Sequence, residues 1–367
     1  MRILHIHPSL EGGGIEAMIC GLANEMSKTE TVSVCSIFEP KKTDVFYNKL
    51  SSSVIKLTCH KKEKGFSLKV LLDIYQIVRK GNYDIVHLHG FLYYYLLTIC
   101  LSWHKKSNFF YTVHSDARRE NSVWDSHLFR IKQWLFKHGI VHPITISRVS
   151  RESFLELYRC DSKLIYNGIP RPLIDKAKRT DVIKMARLSV TTKVLLNVGR
   201  IDVPKNQAVL CRVIKRLVQE GHDVALLIAG GITSQGCYKE ISPYFSERIM
   251  YLRERNDISQ LLSECDAFCL PSIWEGLPVS LLEALSVGCI PICSPVGGIV
   301  DVITDGDNGI LSASSSEEDY YRAMRRFLSM NVAEKEAMSQ HGKETFSKYD
   351  ISRTAQEYVE YYRRLME

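Results

Sequence analysis

Seven residues separate Glu275 from Glu283 in the run W-E-G-L-P-V-S-L-L-E-A. This spacing puts one carboxylate in a loop and the other on the second turn of the helix that follows. Both can face one crevice at the carboxyl end of a strand, where open parallel sheets bind ligands, and the amides of Gly276 and Leu277 stand beside the first. A second constellation, N-V-G-R-I-D-V-P-K-N-Q, offers Gly199, Arg200 and Lys205. Two cations at a strand's end suit a diphosphate, the Arg as a bidentate fork and the Lys as a point charge; the alternative is a pair of ordinary surface cations. A third, G-G-G-I-E-A over residues 12–17, sets Gly13 and Gly14 at a helix start. Backbone N–H groups free of Cβ bulk make an anion site there. With Glu39 closing the next strand, the same run fits a dinucleotide fingerprint, or equally a tight turn with no ligand.

The elements around these residues are legible in the pattern. An apolar run over 267–270 reads as a buried strand, stopped by Pro271-Ser272. Gly276-Leu277-Pro278 then turns into a helix with Val279, Leu282 and Leu285 at helical spacing and Gly288 at its C-terminal cap. The neighbours of Glu283 (Leu281, Leu282, Ala284 and Leu285) are apolar. The helix is therefore largely buried, and a carboxylate on it needs a partner; a cap or salt bridge on its own helix is the competing account. A strand over 194–198 delivers Gly199 and Arg200, and Lys205 opens the helix over 206–219.

Strand and helix patterns alternate along the rest of the chain. Strands fall at 3–7, 32–38, 54–57, 85–88, 109–113, 143–146 and 163–165, with helices at 15–27, 68–79 and 123–138. A polar, basic segment over 171–192 lacks sustained alternation and reads as a junction. The alternation then restarts with strands at 194–198, 224–229, 249–252, 267–270 and 309–311 and helices at 206–219, 258–264, 317–328, 333–341 and 352–365. Repeated β-α units mean parallel sheets. The expectation is an α/β chain of two doubly wound domains, residues 1–180 and 181–349, with a cleft between their strand ends.

The chain has 367 residues, 45% of them hydrophobic, enough for about two cored domains. Its 11 cysteines are odd in number and lack C-x-x-C, which points to a reducing compartment. M-R-I-L-H-I-H-P runs directly into a strand pattern, which argues against export. The longest apolar stretch, 91–103, is too short to span a bilayer. A cytoplasmic protein, peripheral at the inner face of the membrane, is expected. Residues 1–180 carry 27 Lys and Arg against 16 Asp and Glu. That half is the one to meet an anionic partner such as a membrane surface or a lipid diphosphate; a plain solvated basic face is the alternative, and no nucleic-acid partner is expected.

Other clusters carry less. Asp305-Gly306-Asp307 offers a D-x-D of the kind that holds a metal, but D-G-D-N-G has strong turn chemistry, and the turn is preferred. Cys265/Cys269 and Cys289/Cys293 suit zinc poorly and read as packed thiols. His5/His7 and His87/His89 alternate on strands and share a face; core histidines are preferred to a metal. The aromatic run Phe91, Tyr93, Tyr94 and Tyr95 suits an acceptor groove, a membrane-facing patch or simple core.

Taken together, W-E-G-L-P-V-S-L-L-E-A, N-V-G-R…K-N, I-A-G, the Gly-rich loop, D-I-V-H-L-H-G, Y-T-V-H-S and Y-N-G-I-P resemble the retaining GT-B glycosyltransferases of the group 1, or family 4, type, over nearly the whole chain. The resemblance implies two Rossmann-like domains, the first for a glycan or lipid-linked glycan acceptor, the second for a nucleotide-sugar with UDP favoured, and a C-terminal helix, 350–367, packed back on the first. It implies that Glu283 binds the ribose hydroxyls, and that Glu275 with the Gly276 and Leu277 amides holds the donor sugar. Arg200 and Lys205, beside Gly199, would neutralise the leaving diphosphate, His114 would contact the sugar, and Gly13 and Gly14 would approach the phosphates on domain closure. No cofactor or metal is implied, and the setting is surface polysaccharide synthesis. One departure is Arg253, near which such proteins usually place a Gly, and it bears on which base is bound. The rival readings are an NAD(P)-dependent oxidoreductase using the Gly-rich loop and an inactive GT-B sugar-binding protein.

Overall fold

The computed structural model describes residues 1–42, 44–62, 67–90, 95–102, 107–120, 128–175 and 180–367. It divides into two compact units: Met1–Pro170 with Tyr349–Glu367, and Arg171–Lys348. The division falls at the start of the basic segment rather than at residue 180: Asp175 N donates to Gln260 Oε1 at 3.2 Å and Thr180 N to Glu264 Oε2 at 3.1 Å, which ties this segment to the second unit.

The first unit is built on a parallel sheet of β1 (Arg2–His7), β2 (Thr31–Phe38), β3 (Ile55–Lys61), β4 (Ile85–His89), β5 (Asn108–Val113), β6 (Val141–Thr145) and β7 (Lys163–Leu164), in the order β3-β2-β1-β4-β5-β6-β7. The second holds β8 (Lys193–Val198), β9 (Val224–Ala229), β10 (Ile249–Tyr251), β11 (Ala267–Leu270), β12 (Ile290–Cys293) and β13 (Ile310–Leu311), in the order β10-β9-β8-β11-β12-β13. β4, β9, β11 and β12 are buried end to end, as V-A-L-L-I-A in β9 shows. Helices on both faces of a parallel sheet require that. Strand order reverses between β1 and β4 in one sheet and between β8 and β11 in the other. Such switch points open a crevice at the carboxyl ends of the strands.

The C-terminal helix Ile351–Met366 belongs to the first unit. Its Ile351, Ala355, Tyr358 and Tyr362 pack into a core with Met18, Ile19 and Leu22 of the helix Gly14–Met26. Burying an Ile or large aromatic side chain contributes roughly 1.5–3 kcal/mol. The Y-N-G-I-P turn clamps the start of this helix: Ile169 N donates to Tyr349 O and Ile351 N to Ile169 O, each at 3.0 Å. Gly168 allows the approach, since a Cβ there would lie 2.3 Å from Thr354 Oγ1.

Several boundaries differ from the sequence expectation. Helix 123–138 is described only as Phe129–Lys137, and Phe91, Tyr93 and Tyr94 lie outside the described residues. Tyr95 is buried at the head of the helix Leu96–Ser102. The helix Gln235–Ile241, capped by the Ser234 hydroxyl accepting from Cys237 N, carries too little apolar periodicity to announce itself.

Candidate active site

The loop after β8 is tied to the loop after β11. The Asp202 carboxylate accepts from Val203 N at 2.9 Å and starts a single 3-10 turn, Val203–Lys205. Asn206 follows in the left-handed region (φ 53°), a conformation Asn tolerates, and its Nδ2 donates to Pro271 O (3.1 Å) and Ser315 O (3.2 Å). Ile273 N donates to Pro204 O at 2.8 Å. These bonds fold Lys205 back over Gly199, where a Cβ would meet the Lys205 chain at 3.3 Å. Lys205 Nζ then lies 2.6 Å from Glu275 Oε1, which also accepts from Ser272 Oγ at 2.6 Å. The two charged side chains are only 18% and 10% exposed, so water screens the pair weakly. Arg200 is exposed and enters no ion pair among the described residues, while its carbonyl accepts from Gln207 Nε2 at 2.9 Å.

Beyond Glu275 the backbone is set by a close approach. Gly297 has φ 55°, and a Cβ there would lie 1.9 Å from Glu275 O; Gly298 N donates to Gly276 O at 2.5 Å. The Gly276 and Leu277 N–H groups donate to nothing among the described residues. The helix Val279–Val287 begins after Pro278 with no side-chain cap. Uncapped amides at a helix start favour an anion or an oxygen carrying negative charge. Glu283 sits on that helix half-buried, between the buried Leu282 and Ala284.

Gly230, from the I-A-G run, makes room for the end of β8: with φ 152°, a Cβ on it would fall 2.0 Å from Gly199 O. Its N–H donates to Arg253 O at 2.8 Å, and Arg253 holds a left-handed φ of 58°. The backbone at this position thus has the conformation that glycine adopts most readily, although an arginine supplies it.

In the first unit, Gly13 precedes the helix Gly14–Met26 with φ 158° and ψ 176°, a region almost confined to glycine, and the helix start is exposed and has no side-chain cap. The Glu16 carboxylate lies against Gly13 and complements the helix dipole there. His114 follows β5, and its Nε2 lies 3.0 Å from His89 Nδ1 at the end of β4. Burial, with a smaller contribution from His7, pushes the His114 imidazole down to about 3.

The expected site residues Gly199, Arg200, Lys205, Glu275, Gly276, Leu277 and Glu283 fall in the second unit and Gly13, Gly14 and His114 in the first, each group near strand carboxyl ends. Ser272, Asn206 and Gly297, which the structure packs around Glu275 and its loop, were not among them. The P-S and V-G-G runs were visible, but only the folded loops bring them onto Glu275. The distractors resolve by geometry. Asp305 is gripped by Arg326 Nη1 at 2.8 Å and Asp307 by His341 Nδ1 at 2.7 Å, on either side of Gly306 with φ 80°. Cys269 and Cys293 are buried in β11 and β12, and burial pushes the Cys269 thiol up to about 12. Glu39 lies at the surface beside His60 and Lys62.

Comparison with known proteins decides the family. The family model of glycosyl transferases group 1 matches residues 179–345, and that of glycosyltransferase family 4 matches residues 12–171. The chain is a group 1 glycosyltransferase. This glycosyltransferase is 26% identical over 274 residues (71% of this chain, 70% of the relative) to the UDP-Gal:alpha-D-GlcNAc-diphosphoundecaprenol alpha-1,3-galactosyltransferase of Escherichia coli. To the N-acetylgalactosamine-N,N'-diacetylbacillosaminyl-diphospho-undecaprenol 4-alpha-N-acetylgalactosaminyltransferase of Campylobacter jejuni it is 26% identical over 205 residues, covering 54% of this chain and 53% of the relative. Its fold matches HepE of Anabaena, solved with UDP-glucose, at a TM-score of 0.80 and 18% identity, covering 98% of this chain and 99% of that one. A glycosyltransferase of Rickettsia africae matches at a TM-score of 0.83 and 17% identity, covering 100% and 98%. The fold of this glycosyltransferase is GT-B, with two Rossmann-like domains. No helix among its described residues is long and apolar enough to cross a membrane.

Proposed function

We propose that this glycosyltransferase moves a sugar from a UDP-sugar to a lipid-linked glycan, with retention of anomeric configuration and without a metal, in surface polysaccharide synthesis. The observation that carries the reading is the grouping at the ends of β8 and β11: Arg200, exposed and outside any ion pair among the described residues, Lys205 paired with Glu275, and the amides of Gly276 and Leu277, which no described residue accepts from. Positive charge and hydrogen-bond donors held in place before reaction stabilise a diphosphate as it leaves, which is where negative charge grows in the transition state. The relatives named above, one of which takes its sugar from UDP-Gal and both of which act on diphosphoundecaprenol-linked substrates by their names, support the donor and acceptor classes.

In this reading Glu275 uses one oxygen to hold Lys205 and Ser272 and turns the other to a donor-sugar hydroxyl. Glu283 takes the ribose hydroxyls, Gly13 and Gly14 approach the phosphates, and His114 contacts the transferred sugar. The acceptor oxygen bonds to the anomeric carbon on the face from which the diphosphate departs. The carbon–oxygen bond to phosphate breaks, and the acceptor proton passes to the leaving phosphate oxygen. The basic first unit suits a diphosphate lipid at an anionic membrane surface. The test is sugar transfer from a panel of UDP-, GDP- and ADP-sugars to an undecaprenyl-diphosphate-linked saccharide: transfer that disappears in Arg200→Ala supports the reading, and a wild-type chain inert toward every donor favours a sugar-binding protein.

A further inference from the structure

The sheet of the first unit is covered by two helix layers that differ in what they show to water. Leu4, Ile6, Val86 and Leu88 project to one side, where they meet the helices Leu68–Gly81, Leu96–Ser102, Phe129–Lys137 and Arg148–Tyr158. Ile3, Val32 and Ile85 project to the other, against Gly14–Met26 and Ile351–Met366. Among the described residues of this unit, eight large apolar side chains stand exposed, and six of them belong to the first layer: Leu68, Leu72, Leu101, Ile131, Trp134 and Leu155. The other two are Ile55 on the edge strand β3 and Met366 in the last turn of the opposite layer. Single exposed apolar residues are ordinary. Six on one layer against one on the other are not a random scatter.

The helix Leu68–Gly81 makes the excess plain. It buries Val70, Ile74 and Val78, one stripe at i, i+4 and i+8, and a helix lying on a sheet needs no second one. Yet Leu68 and Leu72 are 69% and 53% exposed, and at this spacing they are neighbours on the outer side, where water alone would favour polar residues. The adjacent helix adds Leu101, and Phe129–Lys137 adds Ile131 and Trp134, the last a side chain that favours the boundary between apolar and aqueous media. Charge follows the same division. Lys69, Arg79, Lys80, Arg130 and Lys137 stand exposed on the first three helices of this layer, which carry one carboxylate, Asp73. Arg148–Tyr158 is balanced, and the two helices of the opposite layer carry three Arg against four Glu. Exposed leucines among long cationic side chains are the composition of a surface that lies in the headgroup region of an anionic bilayer. The place in the fold fits as well: Leu68 opens the helix that follows β3, so it stands at the carboxyl edge of the sheet, the edge that holds Gly13 and His114.

We infer that the outer side of this layer, centred on Leu68, Leu72 and Leu101, is the membrane-binding surface of the protein, and that its partner is an anionic phospholipid bilayer. This names the surface at which a lipid-linked acceptor is met and rests on that reading of the acceptor; the experiment separates the two. The full-length protein is floated with vesicles of equal parts phosphatidylglycerol and phosphatidylcholine, and with vesicles of phosphatidylcholine alone. Transfer from a UDP-sugar is then measured to an undecaprenyl-diphosphate-linked saccharide in the anionic vesicles and to a short-chain, water-soluble diphosphate-linked saccharide. The wild type is expected to float with the anionic vesicles, less so as salt rises, and not with the neutral ones. Leu68→Gln/Leu72→Gln and, separately, Lys80→Glu/Lys137→Glu change exposed residues and are expected to melt with the wild type. Each weakens vesicle binding at least about tenfold, whereas Met366→Gln on the opposite layer binds unchanged. Both double variants lose most transfer in vesicles and keep it toward the water-soluble acceptor. A wild type that floats with neither vesicle, or a Leu68→Gln/Leu72→Gln protein that floats like the wild type, overturns the inference. So does a wild type that binds no vesicle and sediments as a dimer that the leucine changes dissociate, because this side then meets a second copy of the chain. Vesicle binding that maps to these leucines in a protein inert toward both acceptors supports the surface and overturns the reading of the acceptor.

Discussion

Lys205 Nζ lies 2.6 Å from Glu275 Oε1 across two different loops, with both side chains largely withdrawn from water. The pair is both a structural tie between the ends of β8 and β11 and, in the proposed function, the join between the diphosphate and sugar ends of the donor site. Lys205→Ala leaves a shielded carboxylate with only the Ser272 hydroxyl. Breaking a fully buried pair costs 3–5 kcal/mol; with this much exposure about 2 kcal/mol is expected, a fall in Tm of about 4–8 °C. Glu275→Gln keeps an acceptor for Ser272 and falls less. Thermal melts of both variants check the order, and a Lys205→Ala protein melting with the wild type contradicts the account.

Arg200 has the opposite profile. It is exposed and its side chain enters no ion pair among the described residues, so Arg200→Ala is expected to shift stability by no more than about 0.5 kcal/mol. Loss of one preorganised donor to the leaving group lowers kcat by about 10²–10³. A variant that loses activity only because it unfolds argues against the role.

Two glycine substitutions separate space from sequence motif. A Cβ on Gly12 would meet nothing within 4 Å among the described residues, whereas a Cβ on Gly230 would fall 2.0 Å from Gly199 O. Gly12→Ala is expected to melt with the wild type. Gly230→Ala must push the end of β8 aside, at a cost of about 2–4 kcal/mol, and it weakens nucleotide binding through Gly199. Calorimetric titration with UDP alongside the melts distinguishes the two; equal behaviour contradicts the close approach.

Stability depends on pH through the buried histidines. His5 titrates at about 4 in the folded chain against 6.5 when unfolded, and burial also depresses His87 and His89. Below pH 6.5 the unfolded chain binds protons that the folded chain refuses. Their contribution to stability is therefore complete above that pH and is lost as pH falls toward 4, with a limiting slope of about 1.4 kcal/mol per pH unit for each such ring. Urea midpoints between pH 8 and pH 5 should fall on the acid side, with His5→Leu showing the shallower slope. A flat profile contradicts the buried neutral cluster.

The alternation of strand and helix patterns made both sheets legible, because burial on both faces leaves continuous apolar runs such as β9. The C-terminal helix was legible as amphipathic, its Tyr358 and Tyr362 recurring at i, i+4. Strand order was not. Nothing in D-I-V-H-L-H-G says that β4 lies beside β1, so the grouping of His5 with His87 emerges only when the two strands are brought into register. The same holds for Ser272, three residues before Glu275, whose hydroxyl reaches the carboxylate only because Pro271 ends β11 and the loop doubles back. Arg253 shows the reverse: the residue departs from the usual glycine, yet the backbone keeps a left-handed φ of 58°.

The central claim, a UDP-sugar site built on Arg200, Lys205 and Glu275, is tested most directly by melting the purified protein with UDP, GDP, ADP or NAD(P)H, without metal, beside Arg200→Ala. A ligand at a hundred times its Kd stabilises by about 2.7 kcal/mol, a rise of several degrees. The account predicts that rise with UDP and its loss in Arg200→Ala. A response to NAD(P)H alone, or a UDP response indifferent to Arg200, contradicts it.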